Sequence, residues 1–394
     1  MSGLDFGPYL DGQGPALGTQ ITENQLTARM QLLVSLTKSV RTYSTTGGLE
    51  NAGRVARTLG LNIVVGAFLS RDAQQNDREV ANLVAAAAAG NTGDVVIAGS
   101  EVLERADLPE ADLITALQQV RRALPASIQL GYADTAYQLL DHPAVMDEAD
   151  VVFANIYPYF DGVPLDQAMR HLDFIFTRLQ AAVAPKPIIL SETGWPTAGP
   201  QRGGALPSVS NAASYFRSFT TWARARNVEY FYFEAFDEAW KTAEGAQGPH
   251  WGIHDSSGNL KSGMSEAFAG AAVADSWTRP IPGGAGAAEL RFTAVAPLGS
   301  LDNLRGQVSG VDPAPYKVVV YVLVDGLWRR KPTTYPAIGG DWAADITTAP
   351  MDEAATQIAA YLLPVGYRVV AAASSAAVPP EVVANAVASR NVSR

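Results

Sequence analysis

Cysteine is absent from the 394 residues, which excludes a disulfide scaffold, a thiolate metal cage and a cysteine nucleophile but does not tell cytosol from exterior. Histidine is scarce. His142, His171, His250 and His254 show no HExxH or similar spacing, so no catalytic metal or other cofactor is expected, and His250 beside Trp251 reads as a structural rim residue. Lys and Arg number 29 against 39 Asp and Glu, and the formal charge of −10 has the wrong sign for gripping a phosphate backbone, which argues against a nucleic-acid partner. Long apolar runs are also missing. A spanning helix needs roughly 18 to 20 such residues, and even Ala359 to Val378 is broken by Pro364, Arg368 and two serines, so no membrane insertion is expected. The N-terminus carries no basic, apolar secretion signal; the expectation is either residence inside the cell or a mature form beginning after Met1-Ser2-Gly3. There is no GxGxxG phosphate loop, no Walker signature and no GxSxG nucleophile elbow. The basic clusters Arg121-Arg122 and Arg329-Arg330-Lys331 are short and read as solvated faces.

Hydrophobic residues at 47% and charged residues at 17% supply a sizeable core, and the length leaves room for one large barrel plus a satellite. From Leu4 to about Trp277, short runs rich in Val, Ile, Phe and Tyr alternate with stretches whose apolar residues recur every three or four positions. The predicted strands are Leu4 to Phe6, Ser39 to Tyr43, Asn62 to Phe68, Val95 to Gly99, Ile128 to Tyr132, Val151 to Ile156, Pro187 to Ser191 and Tyr230 to Phe236. Helices are expected over Glu23 to Leu36, Arg78 to Ala89, Asp107 to Leu124, Leu165 to Val183 and Val209 to Asn227. Nearly continuous apolar strands fit a parallel sheet covered on both faces, and eight repeats point to a closed (β/α)8 barrel (TIM barrel, α/β class) in preference to an open doubly wound sheet.

The character changes after Trp277. Pro280, Pro282 and Gly283-Gly284-Ala285-Gly286 make a hinge, so the expected domains are a barrel over 1–278, a linker over 279–288 and a small all-β, sandwich-like domain over 289–394. Within the last, Tyr316 to Val324 runs into the hairpin turn Asp325-Gly326 and on into Leu327-Trp328-Arg329. Further strands are expected at Leu290 to Ala294, Trp342 to Thr347 and Tyr367 to Ala372, with Glu381 to Arg394 a helix or a loose tail. Tyr321, Trp328 and Trp342 can form a carbohydrate platform or pack in the core; alternation, which sets Tyr321 and Leu323 on one face, favours the core.

In a barrel of this kind chemistry sits at the C-terminal strand ends. Strand four ends in Gly99-Ser100-Glu101 and strand seven in Ser191-Glu192-Thr193-Gly194-Trp195, so each delivers a glutamate to the rim. Two neighbouring carboxyls push one pKa up and thereby split acid from base roles, the division that glycoside cleavage uses. Rim glutamates also cap helices or form salt bridges, but here Tyr157, Tyr159, Phe160, Trp195, Phe236, Trp240 and Trp251 crowd the segments after strands six to eight, and aromatic faces suit the CH faces of sugars.

These residues resemble glycoside hydrolase family 17, the β-1,3-glucanases and β-1,3-glucanosyltransferases, particularly its bacterial members. The likeness covers most of residues 1–277 and is carried by Gly7-Pro8-Tyr9-Leu10-Asp11-Gly12-Gln13, Arg41-Thr42-Tyr43, Gly99-Ser100-Glu101-Val102-Leu103, Asn155-Ile156-Tyr157-Pro158-Tyr159, Ser191 to Pro196, Phe233 to Glu238 and His250-Trp251-Gly252. It implies that Glu101 is the general acid/base and Glu192 the nucleophile of a retaining double displacement. It also implies that Tyr43, Asn155, Tyr157 and Trp195 surround the reactive sugar and that Glu238 and Lys241 form a supporting charged pair. Glu234 and Phe236 match the family segment too. For Tyr9 and Arg41, sugar contact stands beside barrel packing or a buried ion pair as an equal alternative. Ser100 departs from the family's asparagine, which is thought to hold the 2-hydroxyl of the cleaved sugar, so a lowered rate or a changed acceptor preference is expected.

The leading expectation is a monomeric enzyme on β-1,3-glucan oligo- or polysaccharide, with hydrolysis and transglycosylation differing only in whether water or a sugar hydroxyl resolves the intermediate. From the resemblance, an extracellular, periplasmic or envelope-associated setting is implied. A glucan-binding protein with a disabled barrel is the alternative motivated by Ser100. An aldolase-like barrel would want a Schiff-base lysine, and Lys241 is the one lysine placed near the rim.

Overall fold

The computed structural model describes residues 1–369 and 374–394. Eight strands, β1 (Gly3–Asp5), β2 (Ser39–Arg41), β3 (Asn62–Ala67), β4 (Val95–Ser100), β5 (Gln129–Thr135), β6 (Val151–Asn155), β7 (Ile188–Glu192) and β8 (Phe231–Tyr232), form one parallel sheet in the order β7-β6-β5-β4-β3-β2-β1-β8. The two ends of that order meet: Leu190 bridges Tyr230 in parallel and its amide donates to Glu229 O at 3.1 Å, which closes the barrel. Val64, Ile97, Ala133, Phe153 and Phe231, drawn from five strands, form one buried cluster inside it. Gly131 makes room for it, since a Cβ there would meet the Phe153 ring at 2.4 Å.

The connecting helices are α1 (Glu23–Gln31), α2 (Ala52–Thr58), α3 (Ala73–Ala88), α4 (Glu110–Ala123), α5 (Ala136–Asp141), α6 (Pro143–Glu148), α7 (Leu165–Val183), α8 (Val209–Arg226) and the short α9 (Ser265–Phe268). Helix α3 begins five residues before the predicted start because Asp72 caps it, accepting from Gln75 N, and its first turn is too polar to show an apolar period. Helix α4 starts after Pro109, not at Asp107, whose carboxylate is occupied by Arg105. Strand β8 is shorter than expected. From Phe233 onward the amides bond singly, Phe233 N to Thr193 O and Ala235 N to Asp5 O, both at 2.9 Å, so no ladder continues.

The chain divides into two compact units, Met1–Leu172 with Pro185–Trp277, and Asp173–Ala184 with Thr278–Arg394. In the second unit Arg178 Nε donates to Ala314 O at 3.2 Å and Arg279 holds both Asp173 and Asp312, which is why residues 173–184 group there. Its sheets are antiparallel: β9 (Glu289–Ala294), β10 (Leu304–Ser309) and β13 (Asp341–Ala344) form one of three strands, and β11 (Tyr316–Val324), β12 (Leu327–Arg330), β14 (Gln357–Pro364), β15 (Ser374–Ser375) and β16 (Ala388–Ser393) one of five. Leu304, Val308 and Trp342 from the first meet Val318, Val320, Val322, Ile358 and Leu362 from the second in a shared core, the arrangement of a β-sandwich. The opposite face of the larger sheet buries Val319, Tyr321 and Tyr361 with Val382 of α10 (Pro380–Asn385). Tyr321 and Trp342 are therefore core residues at 2% and 5% exposure.

Two sequence expectations are corrected here. Residues 381–394 are neither all helix nor a loose tail: after α10 the chain returns as β16 along β14, Ile358 opposite Val392, an edge strand whose polar residues hid it. The strand expected over Tyr367 to Ala372 is not seen at residues 367–369, and its remainder lies outside the described residues. Among the described residues, no helix is long and apolar enough to cross a membrane.

Candidate active site

Glu192 is the last residue of β7 and lies in register with Asn155, the last of β6. Glu101 follows the end of β4, its amide donating to Ala133 O of β5 at 2.8 Å. Both glutamates thus occupy the C-terminal rim of the barrel, one from each of two strands separated in the sheet order only by β5 and β6.

Their environments differ. Glu192 is 6% exposed and accepts from Arg41 Nη1 through Oε1 and from the Tyr157 hydroxyl through Oε2, each at 2.8 Å. Burial among Glu192, Tyr43 and Glu101 holds the Tyr157 phenol well above its ordinary range, so it stays a neutral donor. Glu101 is half-buried and accepts from Asn155 Nδ2 at 2.8 Å. Burial first, and the charge of Glu192 second, raise its carboxyl to about 8, with the Asn155 hydrogen bond opposing. Asn155 Oδ1 in turn accepts from Ser191 Oγ at 2.6 Å, which fixes which end of the amide faces Glu101. One carboxyl accepts from a guanidinium and a phenol; the other is disposed to keep its proton at neutral pH.

Arg41 organises this floor. It is 1% exposed, and besides Glu192 its guanidinium donates to Asp5 Oδ1 at 3.1 Å, Ser191 O at 3.1 Å and Ser100 Oγ at 2.9 Å, while lying 4.5 Å from the Tyr43 ring centre. Burial pushes Asp5 up to about 8, with Arg41 pulling against it and Glu192 adding to it. Arg41 therefore forms the buried ion pair that was one of its two expected roles, and Ser100 is joined to the same guanidinium.

A second buried cluster follows β8. Lys241 Nζ lies 2.5 Å from Glu234 Oε2 and 3.1 Å from Glu238 Oε2, and 4.3 Å from the Phe233 ring centre. Burial works to lower the ammonium, but Glu234, Glu238 and Glu244 outweigh it and hold it above the usual lysine range, so it stays charged. The expected Glu238–Lys241 pair is thus a triad with Glu234.

Other expected sugar contacts are corrected by burial. Trp195 is 1% exposed, packs against Tyr159 and Tyr215, and donates from Nε1 to Leu206 O at 3.0 Å, leaving no ring face for a sugar. Phe236, also 1% exposed, is covered by the Arg29 guanidinium at 3.6 Å and by His254. Tyr9 packs edge-on against Trp240. Tyr159 and Trp251 are buried too, so of the seven crowding aromatics only Tyr157, Phe160 and Trp240 reach the surface in part. Tyr43 is likewise only partly covered.

Residues 3–252 match the sequence model of a family described as the BtgE/BtgC glycoside hydrolase domain. The chain belongs to this family. This glycoside hydrolase is similar to a glucan 1,3-beta-glucosidase of Candida albicans, 29% identical over 257 residues that cover 59% of this chain and 83% of the relative. It is similar also to a glucan 1,3-beta-glucosidase of Saccharomyces cerevisiae, 29% identical over 273 residues covering 62% and 86%. Among solved structures, the glycoside hydrolase family 17 β-1,3-glucanosyltransferase of Rhizomucor miehei superposes with a TM-score of 0.60 at 28% identity, covering 67% of this chain and 96% of that one. An active-site mutant of that transferase is known in complex with laminaritriose. These relatives are fungal, which overturns the expected bacterial kinship.

The sequence reading of this hydrolase missed several residues. Asp5 was detectable as the one charge inside an apolar strand. Glu79 shares the buried stripe of α3 with Leu83 and Ala87 at four-residue spacing, an acid where an apolar residue belongs. Its carboxylate accepts from Thr45 N at 2.7 Å, Phe68 N at 3.1 Å and the hydroxyls of Ser44, Thr45 and Thr46, pinning the loop that follows Tyr43. Ser191 stood in the sequence only as the neighbour of Glu192, because its partners Asn155 and Arg41 arrive from other strands, and Asp134, which accepts from Tyr132 of its own strand and from Leu103 N after β4, lay beyond the predicted end of strand five.

Proposed function

We propose that this enzyme cleaves β-1,3-glucan with retention of configuration. Glu192 attacks the anomeric carbon as the glycosidic C–O bond breaks, and the Glu101 proton passes to the departing sugar oxygen. In the second half, Glu101 takes a proton from an incoming hydroxyl, which attacks the same carbon and releases Glu192. The observation that carries the reading is the asymmetry of the two carboxyls: Glu192 is held by Arg41 and Tyr157, whereas Glu101 is raised to about 8. The names of its relatives, glucan 1,3-beta-glucosidases and a β-1,3-glucanosyltransferase, support β-1,3-glucan as the substrate, and an extracellular or envelope-associated site of action goes with that reading. Hydrolysis by water is the first reading and transfer to a second glucan the other, supported by the likeness to the transferase.

Sizing the products made from laminari-oligosaccharides separates the two: chains longer than the starting material require transfer, and exclusively shorter ones require water. Glu192→Gln should lower turnover at least about a thousandfold while glucan binding persists. Product release by that variant at the parent rate would end the assignment.

A further inference from the structure

Glu101 adopts φ 53°, in the left-handed region that a non-glycine residue occupies when its surroundings impose it. Gly99, at φ 85°, prepares the bend; a Cβ there would meet Val102 Cγ2 at 2.8 Å. The turn is closed upon itself by Arg105 N to Glu101 O and Asp107 N to Val102 O, both at 2.9 Å. Two side chains fasten it to the barrel. The Arg105 guanidinium donates to Ser100 O, to Leu69 O beyond β3 at 2.9 Å and to Asp107 Oδ2 at 2.8 Å, and lies 4.7 Å from the Phe68 ring centre. On the other flank Asp134 of β5, wholly buried, accepts from Leu103 N at 3.1 Å and from the Tyr132 hydroxyl.

We infer that Arg105 and Asp134 are positioning residues for the acid/base carboxyl. Arg105 ties the carbonyl just before Glu101 to the end of β3, and Asp134 ties the amide two residues after it to β5, so the strained residue between cannot relax away from Asn155. The inference rests on the Glu101 assignment proposed above. A guanidinium suits this place because its donors are spread over three nitrogens, Nε to Asp107, Nη1 to Ser100 O and Nη2 to Leu69 O, whereas the donors of a lysine all leave one atom.

The pair also frames the proton affinity of Glu101 with opposite signs. The groups facing that carboxyl are Glu192 of β7, Asp134 of β5, Tyr157 after β6 and Arg105 of its own turn. Besides burial, Glu192 and then Asp134 raise it, and Arg105 lowers it. Removing each charge should therefore move the alkaline limb of activity in opposite directions, up for Arg105→Gln and down for Asp134→Asn. A general loosening of the fold has no reason to do that.

The test uses the full chain with two substrates, a laminari-oligosaccharide and a dinitrophenyl β-laminarioside whose leaving group departs without a proton. The value of kcat/KM reports the glycosylation step in each. General acid catalysis contributes roughly 10²- to 10⁴-fold, so Arg105→Gln and Asp134→Asn are expected to lose about 10- to 100-fold on the oligosaccharide and less than about threefold on the aryl glycoside. Arg105→Lys should recover part of the loss. Equal losses on both substrates, no loss on either, or alkaline limbs moving in the same direction would overturn the inference. Glu101→Gln is run alongside: if it still cleaves the oligosaccharide at the parent rate, the Glu101 assignment itself has failed, a result distinct from any outcome at Arg105.

Discussion

Glu101→Gln should abolish cleavage of natural glucan and, at alkaline pH, make the protein more stable. A free glutamate titrates at 4.5 and Glu101 in the folded chain at about 8, raised first by burial and then by Glu192. A carboxyl whose folded value is raised binds its proton more tightly in the native state. The folded form is thus fully favoured below 4.5, and that advantage drains away as the pH climbs, until above about 8 the native state too is ionised. The interval corresponds to about 5 kcal/mol at about 1.4 kcal/mol per tenfold change in acidity, an upper figure because solvent reaches the half-buried carboxyl and relieves part of the cost. Glutamine has the same shape and no charge to bury. In urea unfolding of the two proteins, the stability of Glu101→Gln relative to the parent should therefore grow by roughly 2 to 4 kcal/mol between pH 5 and pH 9, the part of that interval below pH 5 being already spent. Asp5 and Glu234 are also raised by burial, but they are present in both proteins and largely cancel in the difference. A difference that stays flat from pH 5 to pH 9 would refute the claim that this site stores an unfavourable carboxylate.

The same proton governs activity. Since Glu101 must be protonated to act as an acid, kcat/KM on glucan should fall as pH rises through about 8. Tyr157→Phe removes a hydrogen bond to the Glu192 carboxylate, a kind of bond worth about 1.5 to 3 kcal/mol, and should lower kcat/KM about 10- to 100-fold with the melting temperature little changed. Glu79→Ala leaves the donors of Thr45 N and Phe68 N without their acceptor and should destabilise the protein by about 3 kcal/mol or more in urea melts, with Glu79→Gln milder. In the second unit, Lys331→Met strands the wholly buried Asp352 and should cost about 3 to 5 kcal/mol; an unchanged melt would mean that the pair contributes nothing.

The barrel was legible because its signal is local. Apolar runs such as Ile63 to Ala67 and Val96 to Ala98 need no partner to be recognised, and the two glutamates stand out by following them directly. Strands whose burial is one-sided or whose place is an edge were harder: Leu304–Ser309 alternates buried and exposed residues, and Ala388–Ser393 is mostly exposed. Aromatic residues show the limit from another side. Trp195 and Phe160 look alike as rim aromatics in the sequence, yet one is 1% and the other 44% exposed, because rim loops fold over each other in ways that no spacing encodes.

By itself, the order of residues determined a barrel of eight parallel strands, a β-rich companion, and two carboxyls at the ends of strands four and seven. Hydrophobic periodicity and strand-end position are properties of neighbours in the chain, so they survive without coordinates. The tertiary structure alone decided what surrounds each carboxyl. Arg41 and Tyr157, 151 and 35 residues away from Glu192, converge on it, and Asn155 reaches Glu101 from β6 with a donated bond. Proton affinity is set by burial and by charges a few ångströms distant, and those distances exist only once the sheet has closed.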